Sequence, residues 1–208
     1  MGATEKIARF IVDTGYEDIP HAVKKAKRTA LDCLGAALAG VSEPVSQTVT
    51  AYVTKLGGPH QASVFGAGLK VSVADAALAN GSIAHALDYD DCGVKIGHPS
   101  VLVLPAVLSL GEHLGASGQE ILTAYILGLE IEGKLALHAD FKLMQARLNH
   151  QTWYGSIGAA AACAKLLRLD VAKTRMALAS PETLLVGCRL TTVAWLARWR
   201  RGTPAATV

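Results

Sequence analysis

Between His85 and Ser100 the chain reads HALDYDDCGVKIGHPS, and three carboxylates (Asp88, Asp90, Asp91) fall within four positions between the imidazoles of His85 and His98. Long apolar segments flank this stretch on both sides. Burying such a titratable cluster costs folding free energy, so its place between apolar runs marks a functional site. Histidine takes up and releases protons near neutral pH, and a carboxylate beside it can orient the ring or act as a second base. His98 directly precedes Pro99, at the mouth of a predicted helix whose free N–H groups and dipole favour an anion. His98 is therefore a candidate proton carrier for a carboxylate substrate, with Asp88 as its orienter or partner base. His85, three positions before Asp88, can share a helix face with it. His150 also precedes a helix. Two other readings stay open on spacing alone. The acids could form a solvated turn with His98 as a plain helix N-terminal contact. The Asp/Asp/Asp/His set could also bind a divalent cation, although EF-hand spacing is absent.

The elements that must position these residues read as helices. Residues 4–14 form a short helix capped by Thr4, with Ile7, Ala8, Ile11 and Val12 on one face. Pro20 opens a helix to about Ala39 whose apolar stripe is Val23, Ala26, Ala30, Leu31, Leu34 and Leu38, with Lys24, Lys25, Lys27 and Arg28 on a solvated face. Pro44 starts another, ended by Gly57-Gly58-Pro59. ASVFGAGLKVS reads as a small hairpin. Ser72 caps the next helix, which Asn80-Gly81 interrupts just before the cluster. Pro99 begins a helix that Pro105 should kink or break. Ser117 and Glu120 have capping-box spacing ahead of a helix from Gly118 to about His138. Residues 139–152 read as a polar loop with Lys142, Arg147 and His150. GSIGAAAACAKLL is a helix of small residues that lets neighbouring backbones come close. Asp170 begins a last helix that fades by Ser180.

Half of the 208 residues are apolar (51%), enough for a substantial core and against disorder. No apolar run reaches the roughly 20 residues of a membrane span, and the N-terminus lacks a signal peptide's apolar region, so a cytoplasmic protein is expected. The four cysteines are far apart, with no CxxC pair, and do not read as a cysteine zinc site or a disulfide framework. The net charge of +3 comes wholly from the tail, where Arg189, Arg198, Arg200 and Arg201 face only Glu182. A neutral body gives no support for nucleic-acid binding. Residues 1–180 and 181–208 therefore read as a helical domain and an atypical basic tail.

NGSIAHALDYDD, then HPS, then PAVLSLGEHLGASGQEILTAYILGLEIEGKL resembles the N-terminal helical domain of the 2-methylcitrate dehydratase (MmgE/PrpD) family. ASVFGAG upstream and HQTWYGSIGAAAACAKLLRLD downstream are similar to the same family in the same order, so the resemblance covers roughly residues 5–180. It implies a mainly α, multi-helix domain with one small β-hairpin, a homodimer contact, and a smaller lid domain across the site. It implies Asp88, His98 and His150 as catalytic positions, with His85, Asp91 and Cys92 toward a small di- or tricarboxylate substrate. It implies chemistry with no cofactor and no metal. The activity it implies first is that of a carbon–oxygen lyase, a 2-methylcitrate dehydratase, with a decarboxylase or an epimerase as alternatives. Cys92 stands where the family typically has Thr, and its thiol is a weaker hydrogen-bond partner. The family's Thr-Lys-Pro-Leu-His segment and lid have no counterpart here. The expectation is thus a helical domain without its lid, through an early end or a frameshift near Ser180, with a separate lid subunit or a non-catalytic helical module as alternatives.

Overall fold

The computed structural model describes residues 2–93, 97–138 and 150–179. Their order is α1 (Ala3–Asp13), a 3-10 turn (Tyr16–Asp18), α2 (Pro20–Gly40), α3 (Pro44–Leu56), β1 (Ala62–Ser63), β2 (Lys70–Val71) and α4 (Val73–Ala84). Then come α5 (Pro99–Leu114), α6 (Gly118–His138), α7 (His150–Leu166) and α8 (Val171–Ala179). The fold is mainly α, and the two short strands pair antiparallel, Ala62 with Val71 and Ser63 with Lys70.

Several local signals act as read. The Ser72 hydroxyl accepts from the Asp75 N–H and starts α4. The Glu120 carboxylate accepts from the Ser117 N–H while the Ser117 hydroxyl accepts from the Glu120 N–H, closing the box that begins α6. Asp170 Oδ1 accepts from the Lys173 N–H ahead of α8.

Others differ. Thr4 lies inside α1, and Gly2 is the N-cap without a side-chain bond. Pro105 sits within α5, which runs unbroken from Pro99 to Leu114. Asn80-Gly81 does not interrupt α4. The Asn80 side chain is buried, accepting from the Phe65 N–H and donating to the Ser63 carbonyl, so it ties α4 to the hairpin. His150 is the first residue of α7 rather than a loop residue. In α2 the burial follows Ala26, Cys33, Ala36, Ala37 and Gly40, while Leu31 and Leu38 are 71% and 66% exposed. Small side chains let α2 settle close to its neighbours, and that contact outweighs the larger apolar residues on the other face.

The main core is built where α5 packs against α4, α6 and α7, with Val101, Val103, Leu104, Val107, Ala124, Tyr125 and Ala162 buried together. A second cluster joins Ala8 and Ile11 of α1 to Ile131, Ala161 and Leu178. The helices α6 and α7 meet at two glycines. A Cβ on Gly158 would stand 2.8 Å from the Gly128 carbonyl, and one on Gly128 would stand 2.8 Å from the Gly158 carbonyl. The close backbone approach expected of the small-residue helix is realised there. Among the described residues, no helix is long and apolar enough to cross a membrane.

Candidate active site

The histidine–aspartate cluster lies where α4 ends and α5 begins. His85 is the C-cap of α4, and its N–H still bonds the Gly81 carbonyl. His98 is the N-cap of α5. Between them, Asp88 adopts the left-handed conformation at φ 54°, a region that a non-glycine residue seldom occupies and that often marks a functional position. Gly93 and Gly97 exchange two backbone hydrogen bonds, at 2.7 and 3.2 Å, which close the return of the chain. This closure brings Asp88 and His98, ten positions apart, to within 3.2 Å (Oδ1 to Nε2).

The three acids take three different places. Asp88 is 49% exposed and faces both rings, 3.2 Å from Nε2 of His98 and 3.7 Å from Nε2 of His85. Asp90 is sealed behind them, its side chain 0% exposed, with Oδ1 3.1 Å from Nδ1 of His98 and 3.5 Å from Nδ1 of His85. The directed hydrogen bond of His98 Nδ1 goes to the Asp90 backbone carbonyl at 3.0 Å, and the carboxylate contacts are electrostatic. Asp91 turns toward α5, where its Oδ1 accepts from the Ser100 N–H at 3.3 Å in the first helical turn. The two imidazoles meet edge to face, with centroids 5.2 Å apart.

The electrostatics follow from these positions. Burial alone would raise the Asp90 carboxyl, but contact with His85 and His98 outweighs it and holds the group below the ordinary carboxylate value. In return, the close contact with the Asp90 carboxylate overcomes desolvation and lifts His98 to about 9. His98 is thus a cation at neutral pH, ready to donate a proton or attract a carboxylate. Desolvation raises the Asp91 carboxyl, against the opposing bonds from Ser100. Cys92 Sγ lies 3.8 Å from both ring nitrogens of His98, but desolvation and the surrounding aspartates push its thiol up. It is a neutral neighbour rather than a thiolate nucleophile.

Beneath the cluster, Tyr125 of α6 shares its hydroxyl with Thr29 of α2 at 3.0 Å and with Ser100 of α5. Through Ser100 this network reaches Asp91, so three helices hold the wall from below. Deeper still is Glu132 of α6, fully buried, with no hydrogen-bond partner for either oxygen among the described residues. Burial, with a smaller contribution from Asp91, raises its carboxyl to about 9.

His85, Asp88, Asp91, Cys92 and His98 of the sequence reading come together here. The side chain of His150, Lys142, Arg147 and the tail 181–208 lie outside the described residues. The sequence reading missed Asp90, Tyr125 and Ser100 as organisers of the site, and Glu132 as a buried carboxyl near it. For Tyr125 and Glu132 a signal existed, a polar group on the apolar stripe of a helix. For Asp90 there was none, because three aspartates within four positions look alike until the turn sorts them.

The model of the MmgE/PrpD N-terminal domain matches residues 5–208 and so runs across the tail as well. The chain is 32% identical to cis-aconitate decarboxylase of Mus musculus over 163 residues, which is 76% of this chain and 33% of that protein. It is equally similar to the cis-aconitate decarboxylase of Homo sapiens, over 76% of the chain and 34% of that protein. A cis-aconitate decarboxylase-like protein of Aspergillus oryzae is 27% identical, over 84% of the chain and 38% of that protein. The chain therefore spans about a third of the length of the curated relatives it matches.

Proposed function

The chain belongs to the MmgE/PrpD family, and on that premise we propose that it carries the proton-transfer wall of a lyase acting on small di- or tricarboxylates. The observation that carries this reading is the placement of His98 between the buried Asp90 and the half-exposed Asp88. Nδ1 is held from behind, so Nε2 is the atom free to exchange a proton, and Asp88 is the base or orienter beside it.

Two reactions fit that wall. Water elimination from a 2-methylcitrate-like acid removes a proton next to a carboxylate and protonates the departing hydroxyl. Decarboxylation of a cis-aconitate-like acid releases carbon dioxide, leaves an electron pair on carbon and places a proton there. Both need a histidine proton and cationic contacts for carboxylates. The names of the curated relatives support decarboxylation as the first to test. His150 would bind a substrate carboxylate, and His85, Asp91 and Cys92 would border it. A homodimer is part of this reading, and exposed Leu31 and Leu38 give α2 an apolar face to offer.

The test is turnover by the purified chain of cis-aconitate, 2-methylcitrate, citrate and iminodisuccinate, with products identified by NMR and the assembly sized in parallel. Turnover that His98→Ala abolishes supports the reading, whereas full activity in that variant sinks the role of His98. If no acid is turned over, the competing reading of a helical module that dimerises without catalysis is favoured, or one that requires a separately encoded lid.

A further inference from the structure

We infer that His85, Asp88 and His98 form a binding site for one zinc-type divalent cation. One ligand atom from each residue lies within 4.8 Å of the others. Asp88 Oδ1 is 3.2 Å from His98 Nε2 and 3.7 Å from His85 Nε2. Ligands at about 2.0–2.1 Å from a tetrahedral zinc stand about 3.4 Å from one another, so the two edges from Asp88 already lie near that length. Two imidazole nitrogens and one carboxylate oxygen suit a borderline cation better than calcium or magnesium, which prefer all-oxygen cages.

The independent observation is Asp90. Among the described residues its buried carboxylate has no directed hydrogen bond, yet it faces Nδ1 of both rings, at 3.1 and 3.5 Å. A carboxylate behind a histidine is the arrangement that fixes a metal-binding imidazole, orienting the opposite nitrogen and raising its basicity. Here one carboxylate backs two rings, and both Nε2 atoms are presented to Asp88. Three protein ligands leave a fourth position open to water or to a carboxylate from solution. The cation would occupy the Nε2 atoms that proton transfer uses, and it would displace the Nε2 proton of His98 to solvent, so binding releases a proton and tightens as the pH rises. Inhibition by zinc rests on the catalytic reading above. Binding does not rest on it, and because it is measured without turnover the two ideas fail separately.

The experiment uses the full chain without an affinity tag, stripped with a chelator, and titrated with Zn²⁺ by calorimetry near neutral pH. One equivalent should bind. Asp88→Asn and His85→Gln should each weaken binding by roughly 10-fold or more, and Asp90→Asn by about 10- to 100-fold. Circular dichroism checks that each variant is folded. Should a variant fail to fold, NMR of the parent supplies the same test, since Zn²⁺ should shift the ring resonances of His85 and His98 but not those of His60, His113 and His138. The inference is overturned by the absence of stoichiometric binding, by binding that survives both Asp88→Asn and His85→Gln, or by ring shifts confined to the other histidines.

Discussion

The carboxylate of Asp90 lies 3.1 Å from Nδ1 of His98 and is closed off from solvent by the two imidazoles in front of it. A buried anion in this position does two things. It keeps His98 charged at neutral pH, and it spends its own burial cost on that ring, so neither partner is stable without the other. Asp88, on the other nitrogen, is half exposed and contributes less to the folded state, which leaves it available for chemistry.

The first prediction concerns the titration of His98. In chelator-treated protein its ring should titrate at about 9, followed by NMR, and Asp90→Asn should return it toward the ordinary histidine value of about 6.5. The folded value of His98 is raised and that of Asp90 lowered, so the stability gained from this pair is fully present between about pH 4, where an unfolded aspartate ionises, and about pH 6.5. It is lost as the pH rises through 9. Asp90→Asn should cost about 1–3 kcal/mol at pH 6. An unchanged His98 titration in that variant would remove Asp90 as the cause.

Glu132 gives a pH dependence of the same direction from another source. Its carboxyl is raised to about 9 by burial, while an unfolded glutamate ionises near 4.3. Between those values the unfolded state holds fewer protons than the folded one, so stability falls as the pH rises from about 4.3 to about 9. Glu132→Gln should flatten that slope in urea melts between pH 5 and 9. Glu132→Met, apolar and of similar volume, should be more stable than the parent by about 1–3 kcal/mol at pH 8. A Met variant less stable at that pH would mean that Glu132 has a partner when the protein is in solution.

Much of this architecture was legible because its signals are local. Ser72, the Ser117–Glu120 box and the ASVFGAGLKVS hairpin each satisfy backbone groups within a few residues, so their chemistry is written in the sequence. The cluster was legible as a candidate site because acids and histidines lie between apolar runs, where burying them costs folding free energy. Two things were not legible. The buried face of α2 depends on which neighbours it meets, and Leu31 and Leu38 lost that place to Ala36 and Ala37. The choice of Asp90 as the inward acid depends on the left-handed turn at Asp88 and on the Gly93–Gly97 closure, which position one carboxylate behind the rings and its neighbours elsewhere.

Tyr125 tests whether the support beneath the site matters. Its hydroxyl links Thr29 and Ser100, and Ser100 holds Asp91 through its N–H. Tyr125→Phe keeps the ring in the core and removes only that link, leaving two hydroxyls without their shared partner. The expected loss is about 1–2 kcal/mol in chemical denaturation. No loss would show that water replaces the tyrosine hydroxyl at no cost.

The crossing of α6 and α7 is a close backbone packing contact. A methyl group on Gly128 would meet Val103 Cγ1 at 2.7 Å, the Gly158 carbonyl at 2.8 Å and Ala162 Cβ at 3.1 Å. The valine could turn aside, but the carbonyl belongs to the α7 backbone and moves only with the helix. Alanine favours a helix over glycine by about 1 kcal/mol, so an uncrowded site would be stabilised by the change. At Gly128, overpacking of about 1–3 kcal/mol or more should exceed that gain. Because α7 also holds Ala161 against Ile11 of α1, the shift should loosen the second cluster too. Gly128→Ala should therefore lower the melting temperature and speed hydrogen exchange in α1. Gly118→Ala, where a Cβ meets nothing within 4 Å, should do neither. Equal melting temperatures for the two variants would show that α6 and α7 are not in backbone contact.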